Sequence, residues 1–193
     1  MENYISVGIT GGIGSGKSYV CEIIQSMGYP VFNSDLEAKN IINSDQEAIT
    51  FITNLFGDGA YKKGKSDSSF IAEKVFDNSE LREKLNQFIH PKVRERFHEW
   101  ATSTDSKIVF SEAAIFFETG AYKNYDYMVL IIAPHQLKVD RVIKRNNLTQ
   151  KEVESRMDTQ WPDEKKIPLA NFVINNDEVE PLLPQIVKML ESI

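Results

Sequence analysis

The sequence predicts a three-layer α/β fold around a mostly parallel sheet, and three observations support this. Strand, helix and strand patterns alternate at the start of the chain and again near its end, as in folds whose parallel strands are joined by helices. Glycine-rich residues 11–16 separate the first predicted strand from the first predicted helix. A helical run over residues 45–102 interrupts the alternation and indicates an insertion at the open edge of the sheet.

Short apolar segments give the strands, and helical patterns with end signals give the helices. The predicted strands are residues 4–10, 30–32, 107–111, 127–132 and 172–175. The predicted helices are residues 17–27, 36–42, 45–56, 69–76, 80–88, 91–102, 135–145, 150–160 and 179–190. Capping boxes are expected at Ser44-Asp45-Gln46-Glu47 and Thr149-Gln150-Lys151-Glu152, and Pro91 marks a helix break. The glycine- and lysine-rich residues 57–66 predict an exposed turn or hairpin.

Composition limits the partners of this chain of 193 residues. The net charge is −6, which disfavours binding to nucleic acid or an acidic membrane. A single cysteine, Cys21, excludes an internal disulfide and favours a reducing cytoplasm. The longest apolar stretch, residues 128–133, is too short to span a bilayer. We therefore expect a cytoplasmic protein without nucleic acid or membrane partners, whose oligomeric state the sequence does not indicate.

Residues 11–18 satisfy the Walker A pattern G-x-x-x-x-G-K-[ST] in full. Glycines permit the tight turn in which backbone N–H groups converge on phosphate, and the following helix adds the positive end of its dipole. The pattern predicts a P-loop that binds the phosphates of a nucleoside triphosphate, the ATP of a kinase, through Gly11, Gly12, Ile13, Gly14, Ser15, Gly16, Lys17 and Ser18. Lys17 would neutralise the β- and γ-phosphates, and the Ser18 hydroxyl would ligate Mg²⁺.

Features outside the P-loop indicate which class of enzyme this is. The sequence has no Asn-Lys-x-Asp motif for reading guanine and is short for a mechanical ATPase, so a small-molecule kinase is favoured. Asp35 follows the second predicted strand, at the carboxyl edge of the sheet that it would share with the P-loop. It is either a general base for an attacking hydroxyl or the N-cap of the next helix.

Several charged residues have both a functional and an ordinary interpretation. Arg141 and Arg145 share a helix face, which is either a lid over the γ-phosphate or a solvated basic surface. His90 and Arg94 either meet an anionic substrate or lie on the surface. Glu112 either holds a Mg²⁺-bound water or caps a loop.

Several segments together resemble the dephospho-coenzyme A kinase family, in an order that runs the length of the chain. Besides the P-loop with Thr10, they are Val31-Phe32-Asn33-Ser34-Asp35, Ile89-His90-Pro91, Ile115-Phe116-Phe117-Glu118, Arg141 with Arg145, Gln160, and Val173-Ile174-Asn175-Asn176. The chain departs from the family's pattern at Asn33, which replaces the first aspartate of an Asp-x-Asp pair, and at Ala114, which replaces a proline.

The resemblance implies ATP-dependent phosphorylation of the ribose 3′-hydroxyl of dephospho-coenzyme A, with Mg²⁺, in the last step of coenzyme A synthesis. It implies catalytic roles for Asp35 as general base and for Lys17, Arg141 and Arg145. It implies an ATP contact at Asn175 and acceptor contacts at Asp35, His90 and Glu118, and Arg94 remains a candidate acceptor contact from its position shortly after His90. It also implies a nucleotide core (residues 1–44 and 103–193), a lid near residues 141–166 and an acceptor-binding helical insertion (residues 45–102). The alternative is another small-molecule kinase, such as a nucleoside monophosphate kinase.

Overall fold

The computed structural model describes residues 4–76 and 78–193 and contains a five-stranded parallel sheet. The strands are β1 (Ile5–Gly11), β2 (Val31–Asn33), β3 (Tyr61–Lys62), β4 (Lys65–Ser66), β5 (Ile108–Glu112), β6 (Tyr127–Ile132) and β7 (Phe172–Asn175). Five of them form the sheet in the order β2-β5-β1-β6-β7, and β3 and β4 form a separate antiparallel hairpin. The predicted α/β fold with a mostly parallel sheet is confirmed.

Helices account for most of the remaining chain. They are α1 (Lys17–Ser26), α2 (Ser34–Ser44), α3 (Gln46–Phe56), α4 (Ser68–Phe76), α5 (Ser79–Ser103), α6 (His135–Asn146), α7 (Gln150–Met157), α8 (Asp163–Lys166) and α9 (Leu182–Leu190). Short 3-10 turns occur at Asp58–Ala60, Ala121–Asn124 and Ile167–Leu169. Within the described part of the chain, no helix is both long and apolar enough to cross a membrane.

The chain divides into two compact units. The sheet unit joins the chain up to Asn33 with Thr104–Ile193, and the helical unit is Ser34–Ser103. The helical unit begins before residue 45, the predicted start of the insertion, because α2 packs against α3 and α5.

The core of the sheet unit follows the two-residue alternation of its strands. Val7 and Ile9 of β1 and Val129 and Ile131 of β6 are fully buried on one face, where α1 and α9 pack. Met128 and Leu130 point to the other face and pack with Phe116 and Phe117 from the segment after β5. Both faces of the sheet are therefore covered, which explains why β6 is almost continuously apolar.

Pro91 does not end a helix, so the predicted break there is wrong. Helix α5 runs through it without interruption. A proline inside a helix removes one backbone hydrogen bond and costs about 3 kcal/mol. Apolar residues on both sides of Pro91 offset this cost: Phe88, Ile89 and Val93 all belong to the core of the helical unit.

The two predicted capping boxes have different outcomes. The box at Thr149 is present, since its hydroxyl and the Glu152 carboxylate exchange hydrogen bonds with the opposite backbone N–H groups. The box predicted at Ser44 is wrong, because Asp45 is the N-cap residue and accepts a hydrogen bond from Ala48 N at 2.9 Å. Ser44 belongs to the last turn of α2.

Helix ends in the last third of the chain also differ from the prediction. Helix α7 ends at Met157 rather than at residue 160, and the short helix α8 follows it. Helix α9 begins at Leu182 rather than at residue 179. The Asp177 carboxylate accepts hydrogen bonds from the N–H groups of Val179 and Glu180, which holds this segment in a turn.

Candidate active site

The segment between β1 and α1 has the geometry of a P-loop. Gly14 (φ 80°) and Gly16 (φ 89°) adopt the left-handed conformation that glycine tolerates best. The amide of Ser15 donates to the carbonyl oxygen of Gly12 across 3.0 Å, which closes a tight turn. Helix α1 begins directly after Gly16, so the positive end of its dipole lies at the loop.

Close packing also requires glycine at three positions of the loop. A Cβ atom on Gly11 would overlap the backbone carbonyl of Ile131 in β6. A Cβ atom on Gly14 would overlap the backbone of Lys138 in α6. A Cβ atom on Gly16 would overlap the side-chain amide of Asn176. The P-loop therefore lies in direct contact with α6 and with the segment that follows β7.

Lys17 and Ser18 lie in the first turn of α1, where the Walker A pattern needs them. The Lys17 ammonium donates to the carbonyl oxygen of Gly11 at an N–O distance of 3.3 Å, so the side chain folds back over the loop. Ser18 is exposed, and a metal ion bound to nucleotide phosphates could reach its hydroxyl.

Arg141 and Arg145, predicted to act together, have different surroundings. The half-buried Arg141 guanidinium donates to the carbonyl oxygens of Gly14 at 3.4 Å and Asn176 at 3.1 Å. It also forms a 3.0 Å ion pair with Glu178. Arg145 is exposed, and its Nε donates to the side chain of the next residue. Arg141 thus lies against the P-loop, and Arg145 lies on the outer surface of α6.

Asn176, not Asn175, contacts the P-loop. The Asn175 side chain donates to the Asp177 carboxylate at 2.8 Å, and its backbone N–H donates to Gln185. The buried Asn176 amide donates to the carbonyl oxygen of Ser15 at 2.8 Å. The adjacent pair of asparagines was visible in the sequence, but the direction of each side chain was not.

Gln160 links the segment after α7 to the P-loop. Its side-chain oxygen accepts a hydrogen bond from the backbone N–H of Ile13 at 2.8 Å. Its amide nitrogen lies 3.5 Å from the carbonyl oxygen of Ala114, in the segment after β5. One side chain therefore bridges three segments of the sheet unit, and only the resemblance drew attention to it.

Glu118, predicted to contact the acceptor, is engaged within the sheet unit. One of its carboxylate oxygens accepts the N–H of Trp161 at 3.0 Å and lies 2.7 Å from the ammonium of Lys166. Lys166 is completely buried. Removing one member of such a buried pair is costly, because it leaves the other charge unpaired. The pair holds α8 against the segment after β5, and no sequence pattern had indicated Lys166.

A cleft of about 750 Å³ opens beside the P-loop within the sheet unit. Gly12 and Ile13 of the loop, the start of α6, the α7–α8 segment and the end of β7 line it. Lys138 and Asp163, both lining residues, form an ion pair at 2.7 Å. The volume is in the range of small-molecule sites, about 300–1,000 Å³.

The ends of β2 and β5 bring an amide and a carboxylate together. Asn33 and Glu112 are paired across the strands, and the Asn33 amide donates to one Glu112 oxygen. The Cys21 thiol lies 3.6 Å from the other oxygen. Burial, reinforced by the Glu112 charge, raises the pKa of Cys21, so the thiol stays protonated and is a poor nucleophile.

Three predicted acceptor-side residues lie in the helical unit. Asp35 is exposed and lies within the first turn of α2, which begins one residue earlier, so it is not the residue that caps this helix. Burial lowers the pKa of His90, with the Asp35 charge acting in the opposite direction, so the imidazole is neutral at pH 7. Arg94 is exposed one turn further along α5.

Comparison with known proteins agrees with this geometry. The family model for dephospho-CoA kinase matches residues 5–181. The chain belongs to the dephospho-CoA kinase family. A Bacteroides fragilis dephospho-CoA kinase is 37% identical over 187 residues, covering 96% of this chain and 91% of the relative.

Solved structures of similar proteins share the fold over nearly the whole chain. A Thermus thermophilus protein superimposes with a TM-score of 0.85 at 31% identity, covering 99% of this chain and 96% of its own. The dephospho-CoA kinase of Campylobacter jejuni gives a TM-score of 0.68 at 30% identity, with the same coverage. Both the sequence and the fold of this chain therefore agree with its membership of the dephospho-CoA kinase family.

Proposed function

We propose that this protein transfers the γ-phosphate of ATP to the ribose 3′-hydroxyl of dephospho-coenzyme A, giving coenzyme A and ADP in the cytoplasm. The observation that carries the proposal is a complete P-loop, at the junction of β1 and α1, in a member of the dephospho-CoA kinase family. Membership of the family favours this acceptor over that of a nucleoside monophosphate kinase.

The P-loop and the adjacent cleft supply the donor side of this proposal. Phosphates would occupy the loop, where N–H groups, the dipole of α1 and Lys17 all carry positive charge. The nucleoside of ATP would occupy the cleft, which begins at Gly12 and Ile13. The Lys138–Asp163 pair lies in the wall of this cleft and would limit its size.

The side chains at the loop fit a magnesium ion bound to the phosphates of ATP. The Ser18 hydroxyl would be a direct ligand, and the Glu112 carboxylate at the end of neighbouring β5 would hold a coordinated water. The Asn33 amide orients Glu112 without adding a second negative charge. When bound, Mg²⁺ neutralises charge that develops on the transferring phosphoryl group.

Asp35 is the proposed general base, and His90 and Arg94 are proposed acceptor contacts. Asp35 follows the carboxyl end of β2 by two residues, and its exposed side chain can accept the proton of a substrate hydroxyl. His90 and Arg94 lie one turn apart on α5, so their side chains lie on the same side of the helix. Neutral His90 can donate a hydrogen bond, and Arg94 can pair with a phosphate of the acceptor.

Arg141 is the proposed main arginine for charge stabilisation, and Arg145 a secondary one within the lid, near residues 141–166. Arg141 already contacts the carbonyl of Gly14, so small rotations of its side chain would bring it to the phosphates. Arg145 is exposed and would have to move inward. Glu118 remains a proposed acceptor contact, but its first carboxylate oxygen is engaged with Trp161 and Lys166 and its second is buried, so the segment after β5 would have to open for the contact to form.

An acceptor panel tests the proposal. ADP release from ATP and Mg²⁺ would be measured with dephospho-coenzyme A, nucleoside monophosphates and shikimate, and without acceptor. We expect ADP release to depend on dephospho-coenzyme A. Faster release with a nucleoside monophosphate would favour the alternative kinase, and release that needs no acceptor would indicate a nucleotide hydrolase.

A further inference from the structure

Asn176 occupies a fixed position at the carboxyl end of β7. Its backbone N–H donates to the carbonyl oxygen of Ile132 at 2.8 Å, which continues the pairing of β7 with β6. Only 7% of the residue is exposed. Both the backbone and the side chain are therefore held by neighbouring segments, and the side chain points to the P-loop.

The Asn176 side chain acts on one particular peptide group of the P-loop. Its amide donates to the carbonyl oxygen of Ser15 at 2.8 Å. The Ser15 carbonyl and the Gly16 N–H belong to the same planar trans peptide, so they point in opposite directions. A hydrogen bond that holds the carbonyl outward consequently aims the Gly16 N–H into the concave side of the loop, where an anion binds.

The same residue also holds Arg141. Its backbone carbonyl accepts from the Arg141 guanidinium at 3.1 Å, and its side-chain oxygen accepts from the same nitrogen at 3.4 Å. The left-handed Gly16 leaves the space that the Asn176 amide occupies. A single asparagine thus sets both the loop backbone and the arginine beside it.

We propose that Asn176 is a positioning residue, which orients the Ser15–Gly16 peptide of the P-loop and Arg141 toward the phosphates of ATP. The binding part of this inference needs only that the loop binds nucleotide, and its kinetic part rests on the proposed function. Asn176 itself acts through the loop and Arg141 and does not touch the reacting atoms.

Two variants and one matched control test the proposal. Asn176→Ala removes the hydrogen bond, and the nearly isosteric Asn176→Asp replaces its donor with an acceptor that repels the Ser15 carbonyl. Asn171→Ala is the control, because Asn171 flanks the other end of β7 and also bonds a backbone group, the N–H of Met128 at 2.8 Å. ADP affinity would be measured by calorimetry, and KM would be measured separately for ATP and dephospho-coenzyme A.

We expect both Asn176 variants to bind ADP roughly tenfold more weakly, because a well-aimed donor to phosphate is lost. The KM for ATP should rise similarly, while the KM for dephospho-coenzyme A and both values in Asn171→Ala stay within about twofold of the unsubstituted protein. If Asn176→Ala does not fold, Asn176→Asp provides the result.

Two results would overturn the inference. One is an ADP affinity in Asn176→Asp that matches Asn171→Ala. The other is an equal rise in the KM of both substrates, which would indicate a general structural role. Failure of the proposed function alone would give a different result. The Asn176 substitutions would still weaken ADP binding, but the unsubstituted protein would not transfer phosphate to dephospho-coenzyme A.

Discussion

The sheet unit and the helical unit carry their predicted functional residues in different ways. In the sheet unit, phosphate recognition depends on backbone: two left-handed glycines, a tight turn and the start of α1. In the helical unit, the candidates Asp35, His90 and Arg94 are side chains on two regular helices. Backbone recognition requires a particular local sequence, whereas a helix presents any side chain equally well.

This difference explains why the sequence identifies the site of the phosphate donor more clearly than the site of the acceptor. A P-loop restricts the residue type at several consecutive positions, so the pattern by itself identifies phosphate binding. A histidine and an arginine one turn apart on α5 are compatible with many roles. Substitutions in the two units should therefore separate effects on the KM for ATP from effects on the KM for dephospho-coenzyme A.

The largest effect is expected at Lys17. Lys17→Met should lower kcat/KM by about 10³-fold, because the variant lacks the charge that neutralises the β- and γ-phosphates. Lys188→Met, at an exposed lysine of α9, is the control. Steady-state kinetics with ATP varied would measure this. A loss below tenfold would mean that the loop does not hold the transferring phosphate.

Asp35→Asn should lower kcat by about 10²-fold, since a general base typically contributes about 10²–10⁴ in rate. ATP binding should remain unchanged, because the P-loop is intact. Glu37→Gln, in the same first turn of α2, is the matched control. Turnover in Asp35→Asn equal to that of the control would remove Asp35 from the mechanism.

Arg141 and Arg145 should differ, although both lie on one helix. Arg141→Ala is expected to lower kcat/KM for ATP by about 10²-fold, as for the loss of one preorganised donor. Arg145→Ala, at an exposed position, should cost less than about tenfold. An equal or larger loss at Arg145 would show that the lid closes farther than the contacts of Arg141 suggest.

The smallest effect concerns the pH dependence of stability and reports on the helical unit. The pKa of His90 is lowered by burial, so below about pH 6.5 the unfolded chain takes up a proton that the folded protein resists. The contribution of His90 to the free energy of unfolding is fully present above about pH 6.5. It is lost as the pH falls from there through the lower pKa of the folded protein. In His90→Gln, the free energy of unfolding, measured by urea unfolding, should therefore fall less between pH 7 and pH 5.

The exposed His98 on the same helix offers the control, as His98→Gln. An unchanged pH profile in His90→Gln, together with an unchanged KM for dephospho-coenzyme A, would remove His90 both as a buried neutral group and as an acceptor contact.

Much of the fold could be predicted because local sequence and tertiary structure agree. Strand β6 and the capping box at Thr149 were both predicted at the positions where the structure has them. Pro91 was misleading, since its local preference for a helix start was overruled by the core around Ile89 and Val93. The cap of α3 was misplaced by one residue because two adjacent residues, Ser44 and Asp45, are both good caps.

The P-loop was evident from the sequence, but the side-chain contacts that support it were not. Asn176 and Lys166 are separated from the loop or from Glu118 by long stretches of chain, and only the folded structure shows their contacts. Asn176 lies in a segment that resembles the family, but the sequence indicates neither the direction of its side chain nor the pairing of Lys166 with Glu118. The sequence also does not show that the Asn176 side chain packs closely against Gly16.

The central claim, transfer of phosphate from ATP to a specific hydroxyl, is tested most directly with two acceptors that differ only there. ADP release and product mass would be measured with dephospho-coenzyme A and with its 3′-deoxyribose analogue. We predict one ADP per coenzyme A formed with the first acceptor and neither product with the second. Phosphorylation of the 3′-deoxy analogue, or no transfer to dephospho-coenzyme A, would contradict it.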